Sequence, residues 1–348
     1  MSVTLKDVAN QLGLSPATVS IAIRGKRAGK RGLSPETIQQ VCLTAKQMGY
    51  YPNALASSLV NKKTNVIGIL LSSISFSTKE TLAGIKKEVF PSFTPMLTIH
   101  NADGASERAE IKTLITQRVD GIIAAFSGDF ESVGAYRELS ENLGVPVVLI
   151  DRSIPDLNLP IVRYDHYGCT YQATKQLLSL GHKRIHFFSV SSSATLLEGH
   201  KLRQEGYIDA MVEAGCKDDI VVDFKPSCHD WVEKGNLKPI VGNILDSWSN
   251  NKPAATVLFL DNDYLAYEAL NQCQSRGISV PEEVSIMSIG DYFFSEYVNL
   301  SSVSVKSELM GIKAAKLLLS LIEGEENWDK KPIILPIEVR MRGTTKRL

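Results

Sequence analysis

Five bases crowd the eight residues from Arg24 to Arg31 in the stretch RGKRAGKRGLS: Arg24, Lys26, Arg27, Lys30 and Arg31. Cations at that density hold phosphates, and they do so without choosing among sequences, because every phosphodiester looks alike. The intervening glycines do not make a nucleotide-cradling loop, since GKRAGKR has the wrong spacing and ends in Arg31 where a Ser or Thr is required. A second polar set closes a series of apolar runs: Ser72, Asp151, Asp261 to Asp263, and Asp291. Hydroxyls and carboxylates placed there can bond a ligand lying beyond strand ends, although acids such as Asp151, Asp165 and Asp261 equally serve as caps of following helices. His182 and His186 are four apart, but GHKRIHFF passes from turn into strand, so the two do not share a helical face and make a poor zinc pair. No GxSxG elbow, HExxH or Walker loop occurs, and no cofactor is implied.

These groups need elements to position them. The chain has 348 residues and 44% apolar content, enough for two or three folding units. No run of eighteen apolar residues occurs, and MSVTLKDVAN lacks the features of a secretory signal, so a soluble cytoplasmic protein without a membrane partner is expected. The five cysteines are scattered and never spaced CxxC, as expected of reduced thiols. Net charge is zero, yet residues 1–65 hold nine Lys or Arg against two acids, so a +7 head precedes a −7 remainder. A basic head of that kind points to a polyanion.

Helix signals in the head are dense. Thr4 and Asp7 form a capping pair, Leu5, Val8, Ala9 and Leu12 a buried stripe, and Gly13 a left-handed stop. Ser15-Pro16 opens a second helix, with Val19, Ala22 and Ile23 inward and the small or modest Ala17, Thr18, Ser20 and Ile21 outward. Ser34-Pro35-Glu36 opens a third, with Ile38, Val41, Ala45 and Met48 inward and Gly49 at its end. Three short helices with a tight turn between the first two are the plan of a helix-turn-helix; the alternative is a small helical bundle that touches no nucleic acid. From Val66 the runs VIGILL, PMLTIH, GIIAAF, VPVVLID, RIHFFSV, DIVVDF, ATVLFLD and VSIMSIGD alternate with helical stretches. Continuous apolar strands of this kind lie in parallel sheets covered on both faces, and eight suit two lobes with a cleft between them.

The segments TLKDVANQLGLSPATVS, LSPETIQQV and MGYYPNALASSL, in this order and spacing, resemble the head of the lactose-repressor (LacI/GalR-type) family of bacterial transcription regulators, and the resemblance runs through nearly the whole chain. It implies a small all-α helix-turn-helix DNA-binding head over residues 1–50, a hinge helix and linker over 51–64, and a two-lobed α/β periplasmic-binding-protein-like effector and dimerisation domain over 65–348. The partners implied are double-stranded operator DNA of pseudo-palindromic sequence, a second copy of the chain, and a small-molecule effector of the sugar class. The implied DNA contacts are Thr4, Leu5, Ser15, Pro16, Ala17, Thr18, Ser20 and Ile21, the five loop bases, and Asn53, Ala56, Ser58 and Leu59 of the hinge, with Leu59 as a minor-groove wedge. The implied effector contacts are Ser72, Phe76, Asp151, Asp165, Arg203 in RQEGY, Trp231 in HDW, Asn262 and Asp263 in DNDYLA, and Asp291 in SIGDY. A planar arginine, carboxylates and an aromatic face suit a polyhydroxyl ligand, while Trp231 equally fills a core. Two departures stand out. Ile21 occupies a position where the family often has arginine, leaving only apolar contact with a base, and the loop after the second helix is longer than usual. A transport receptor would share the body but not the head, and a sugar-binding or sugar-modifying protein would have no need of the head.

Overall fold

The computed structural model describes residues 3–23, 33–51, 63–191, 198–226, 237–250, 254–325 and 328–348. The chain divides into two compact units, Met1–Thr64 and Asn65–Leu348.

The head contains α1 (Leu5–Leu12), α2 (Pro16–Ile23) and α3 (Pro35–Gln47). Each starts where side-chain oxygens meet free backbone amides. Thr4 accepts from the Asp7 amide at 3.3 Å while Asp7 accepts from the Thr4 amide at 2.8 Å, a closed capping box. Ser15 accepts from the Thr18 amide at 3.1 Å and Ser34 from the Thr37 amide at 3.3 Å. Gly13 ends α1 at φ +63°, a conformation glycine adopts without Cβ strain. The core is Val8, Ala9, Val19, Ala22, Val41 and Ala45, two residues from each helix. Its small side chains let the helices approach closely.

The body runs β1 (Val66–Leu71), α4 (Phe76–Val89), β2 (Thr94–Ile99), α5 (Gly104–Thr116), β3 (Gly121–Ala124), α6 (Val133–Arg137), β4 (Val147–Ile150), β5 (Ile161–Tyr164), α7 (His166–Ser179), β6 (Ile185–Ser191), α8 (Glu198–Glu213), β7 (Val221–Pro226), α9 (Lys238–Asn250), β8 (Val257–Leu260), α10 (Asp263–Arg276), β9 (Ser285–Gly290), α11 (Phe293–Tyr297), β10 (Ser301–Ser304), α12 (Ser307–Glu323), β11 (Ile333–Leu335) and β12 (Glu338–Arg340). Two sheets form, ordered β11-β5-β4-β3-β1-β2 and β12-β10-β9-β8-β6-β7. Every pairing is parallel except β10 with β12. The eight apolar runs become β1 to β4 and β6 to β9. The others escaped notice for physical reasons: β5 is the four-residue IVRY, β10 is SSVS with its serines buried, and β11 and β12 are three residues each.

The chain crosses between the sheets three times. It leaves the first sheet after β5, returns between β10 and α12, which packs on α4 and β3 to β5, and leaves again between β11 and β12. The Asp165 amide donates to the Leu335 carbonyl at 3.2 Å, tying the first crossing to the third. Helices α4 and α12 are in backbone contact through two glycines. A Cβ on Gly84 would lie 2.1 Å from the Glu308 carbonyl oxygen, and one on Gly311 would lie 2.0 Å from that of Thr81. Thr81 Oγ1 also donates to the Ser307 carbonyl at 3.2 Å.

Gly311→Ala should therefore force α4 and α12 apart and destabilise the body by roughly 1–3 kcal/mol despite alanine's better helix propensity. The urea midpoint reads this directly; an unchanged or higher midpoint would show that the helices separate freely.

Candidate functional site

Two surfaces carry the chemistry, one in each unit. In the head, Ser15, Pro16 and Ala17 at the start of α2 are exposed, Thr18, Ser20 and Ile21 are half-buried, and Val19 and Ala22 are buried in the core. The exposed end of α2 thus carries short side chains that allow close approach to a groove. Thr18 Oγ1 pairs with Ser15 Oγ at 2.8 Å, so part of its polarity serves the cap. Thr4 is exposed but committed to the capping box, and Leu5 is partly spent against the head core. Arg24, Lys26, Arg27, Lys30, Arg31, Asn53, Ala56, Ser58 and Leu59 lie outside the described residues.

In the body a cavity of about 310 Å³ opens where the carboxyl ends of both sheets meet. Ser72 and Ser73 follow β1, Phe126 follows β3, and Asp151 and Arg152 follow β4; Tyr164 and His166 flank the first crossing. From the second lobe come His200 and Arg203 of α8, Asp261 and Asn262 after β8, and Tyr264 and Tyr292. Asn262 caps α10, accepting from the Leu265 amide at 3.0 Å, and its Nδ2 donates to Asp261 at 3.2 Å. Arg203 donates to the Tyr164 hydroxyl, and its Nη1 stands 3.9 Å from Asp261 Oδ2.

The electrostatics follow from burial. Desolvation alone would raise the Asp151 carboxyl, but His166 beside it and the charges of Arg152 and Arg203 hold it well below the usual carboxylate range. Burial, reinforced by the charges of Arg203 and Arg152, pushes the His200 imidazole down to about 2. His200 is therefore neutral at working pH and faces Ser189 Oγ at 3.1 Å through Nδ1. The cavity offers carboxylates, guanidinium groups, hydroxyls and aromatic faces together.

The effector residues expected from sequence divide into two groups. Ser72, Asp151, Arg203 and Asn262 line the cavity. Phe76, Asp165, Asp263 and Asp291 do not, and each is occupied by a neighbour. Asp263 is fully buried, with Oδ1 accepting from Ser288 and Ser302 and Oδ2 from Ser295 and the Tyr292 amide. Four donors occupy both oxygens, one of them the amide of Tyr292. Asp291 is held by Arg340 at 2.8 Å and Arg342 at 2.7 Å, and Asp165 caps α7 at 2.8 Å from the Gly168 amide. Phe76 joins an aromatic cluster across the lobes, 4.6 Å from Phe293 between ring centroids, and its amide donates to the Tyr264 hydroxyl at 3.3 Å. Trp231 lies outside the described residues. The cavity also holds Arg152, His166 and Tyr264, each directly following a residue or pair expected in the site, and His200, which has no such neighbour. Tyr164 carried no signal because its strand was not recognised.

Comparison with known proteins fits both units. Residues 4–53 match the family model for bacterial regulatory proteins, lacI family, and residues 174–345 match a periplasmic binding protein-like domain. The chain is 31% identical over 355 residues to the HTH-type transcriptional regulator DegA of Bacillus subtilis (strain 168), covering 100% of this chain and 99% of DegA. A lac repressor dimer bound to operator and the anti-inducer ONPF is similar in structure with a TM-score of 0.82 at 21% identity, covering 99% and 100% of the two chains. A LacI family transcriptional regulator from Enterococcus faecium with bound ribose gives a TM-score of 0.69 at 26% identity, covering 81% and 99%. Head and body together define a DNA-binding transcription regulator. The chain belongs to the lacI family of bacterial regulatory proteins.

The suppressed His200 pKa has a measurable consequence. The unfolded chain binds a proton at this site near pH 6.5 and the folded chain refuses it down to about 2, so stability is full above pH 6.5 and falls as pH drops below it. His200→Gln should make the decline of the urea midpoint between pH 6.5 and pH 5 shallower, by up to about 1.4 kcal/mol per pH unit. Superimposable pH profiles for the two proteins would mean that His200 is protonated in the fold.

Proposed function

We propose that this regulator is a repressor that binds a pseudo-palindromic operator as a homodimer and changes its DNA affinity when a sugar-class molecule occupies the body cavity. The observation that carries the reading is one chain with both a helix-turn-helix whose second helix starts with exposed, short side chains and a polar cavity at two sets of strand ends. The cavity volume sits at the small end of the range for small-molecule sites, which suits a monosaccharide-sized ligand. The described similarity to an operator-bound repressor dimer and to a ribose-bound regulator supports both halves.

In this mechanism α2 enters the major groove, the basic loop grips phosphates, and Leu59 enters the minor groove as a wedge. Ser72, Asp151, Arg203 and Asn262 contact the ligand, Phe76, Asp165, Asp263 and Asp291 hold the surrounding walls, and Trp231 supplies an aromatic face. Ligand bound between the lobes favours one relative arrangement of them, and that preference is what reaches the hinge segments. The molecule works on the DNA of the cytoplasm, and its cavity binds rather than transforms the ligand.

Selection from a random duplex library with the purified protein should return a two-half-site sequence, the half-sites one helical turn apart, whose affinity falls steeply with salt. Equal, weak binding to every duplex would overturn the reading. Ala17→Glu, which sets a negative charge at the exposed start of α2, should lower affinity for the selected site at least about tenfold with an unchanged circular dichroism spectrum, a loss of about 1.4 kcal/mol or more. Leu59→Ala should weaken the same complex while leaving the unfolding midpoint of the body in place; wild-type affinity would remove the wedge from the mechanism.

A further inference from the structure

We propose that the ligand of the body cavity is an anionic sugar, a monosaccharide-sized polyol bearing a carboxylate or phosphate group, with the anion taken up by Arg152 and Arg203. This rests on the reading of the cavity as the effector site and names its ligand class.

Both guanidinium groups line the cavity, and both are held in place by neighbours that leave their charge incompletely paired. Arg152 Nη1 donates to the carbonyl oxygens of Phe126 at 3.3 Å and Ser127 at 3.0 Å, which fixes the head group. Its Nε stands 3.8 Å from Asp151 Oδ2. Arg203 is anchored by the Tyr164 hydroxyl, its Nη1 is 3.9 Å from Asp261, and its buried Nε has no hydrogen-bond partner. Strong guanidinium–carboxylate pairs form at about 2.7–2.9 Å, often two bonds in parallel, so each arginine misses its protein carboxylate by roughly an ångström. The Arg203 side chain is 13% exposed and that of Arg152 25%, and an anion from the ligand supplies each with a closer partner.

Of the two acids at the cavity, Asp261 accepts from Ser189 Oγ at 3.1 Å and from Asn262 Nδ2 at 3.2 Å, while Asp151 Oδ1, 3.3 Å from His166 Nε2, has no hydrogen-bond partner. They remain suited to accepting sugar hydroxyls. Beyond the arginines, the first turns of α7 and α8, helices of 14 and 16 residues, border the cavity through His166, Gly199 and His200, and each carries an acid, Asp165 at the cap of α7 and Glu198 in the first turn of α8. His166 is 3% exposed and its Nδ1 has no hydrogen-bond partner. The hydroxyls of a polyol can donate to the carboxylates and accept from the guanidinium groups, and one anionic group adds the close charge-assisted bonds that Arg152 and Arg203 do not make to Asp151 and Asp261.

The test is thermal shift followed by titration calorimetry on the full chain, with D-glucuronate, D-galacturonate, D-gluconate, glucose 6-phosphate and fructose 6-phosphate set beside D-glucose, D-galactose, D-ribose and inorganic phosphate. At least one acid or sugar phosphate should raise the melting midpoint and bind at least about tenfold tighter than its neutral parent and than inorganic phosphate. The carboxylate and phosphate arms distinguish the two anions. Arg152→Gln should abolish the preference and Arg152→Lys, which keeps the charge, should retain part of it. A neutral sugar binding more tightly than every acid and phosphate overturns the proposal and leaves the sugar-controlled regulator standing. Binding of inorganic phosphate as tight as any sugar, or of none of the probes, overturns it too; if sequence-selective DNA binding persists in that case, only the ligand half of the proposed function fails. The comparison on unaltered protein decides the matter even where a variant does not fold.

Discussion

The body depends on three crossings of one chain between two parallel sheets. Because every strand except β12 runs the same way as its neighbours, the carboxyl ends gather on one edge of each sheet, and the crossings set those two edges against each other. The hydrogen bond from Asp165 to Leu335 ties the first and third crossings together, and the glycine contact of α4 with α12 seats the second against the first lobe. The cavity is the consequence. Its walls are loops and helix starts, while the strands behind them are nearly all buried, so polar side chains are displayed on a rigid apolar frame.

Buried polar groups in this frame follow one rule: each acid that is walled off has donors on it. Asp263 takes four, and Glu107 in the first lobe takes Ser127, Ser132 and Tyr136 with no exposure to solvent. Among the described residues, Asp151 Oδ1, His166 Nδ1 and Arg203 Nε at the cavity are buried without hydrogen-bond partners, as are Thr98 Oγ1, His100 Nδ1 and Thr174 Oγ1 away from it. Asp165, Asp263 and Asp291 are each held by protein partners, although their sequence context looks as exposed to a ligand as that of Asn262.

The head shows a different balance. Its three helices are short, and stability comes from caps at each start and from a core of small side chains contributed equally by the three. Using small residues inside keeps the helices close and leaves the start of α2 standing clear. Thr4 and Thr18, which look like groove contacts in the sequence, are partly consumed by their caps, so the contact surface of α2 is narrower than its composition suggests.

Sequence alone determined the local features: helix starts at Thr4, Ser15 and Ser34, the stop at Gly13, eight of the body strands, and the division into a basic helical head and a two-lobed α/β body. Caps and apolar runs depend on neighbours within a few residues, and those are written in order along the chain. Strands β5 and β10 to β12 were not legible, because they are short and owe their existence to partners far away; SSVS is a strand because β9 and β12 flank it. The cavity wall was legible in part, through Ser72, Asp151, Arg203 and Asn262. Which acid faces the cavity and which faces four donors was decided only by tertiary structure, since burial and hydrogen-bond saturation are properties of the space around a side chain and carry no trace in its sequence neighbours.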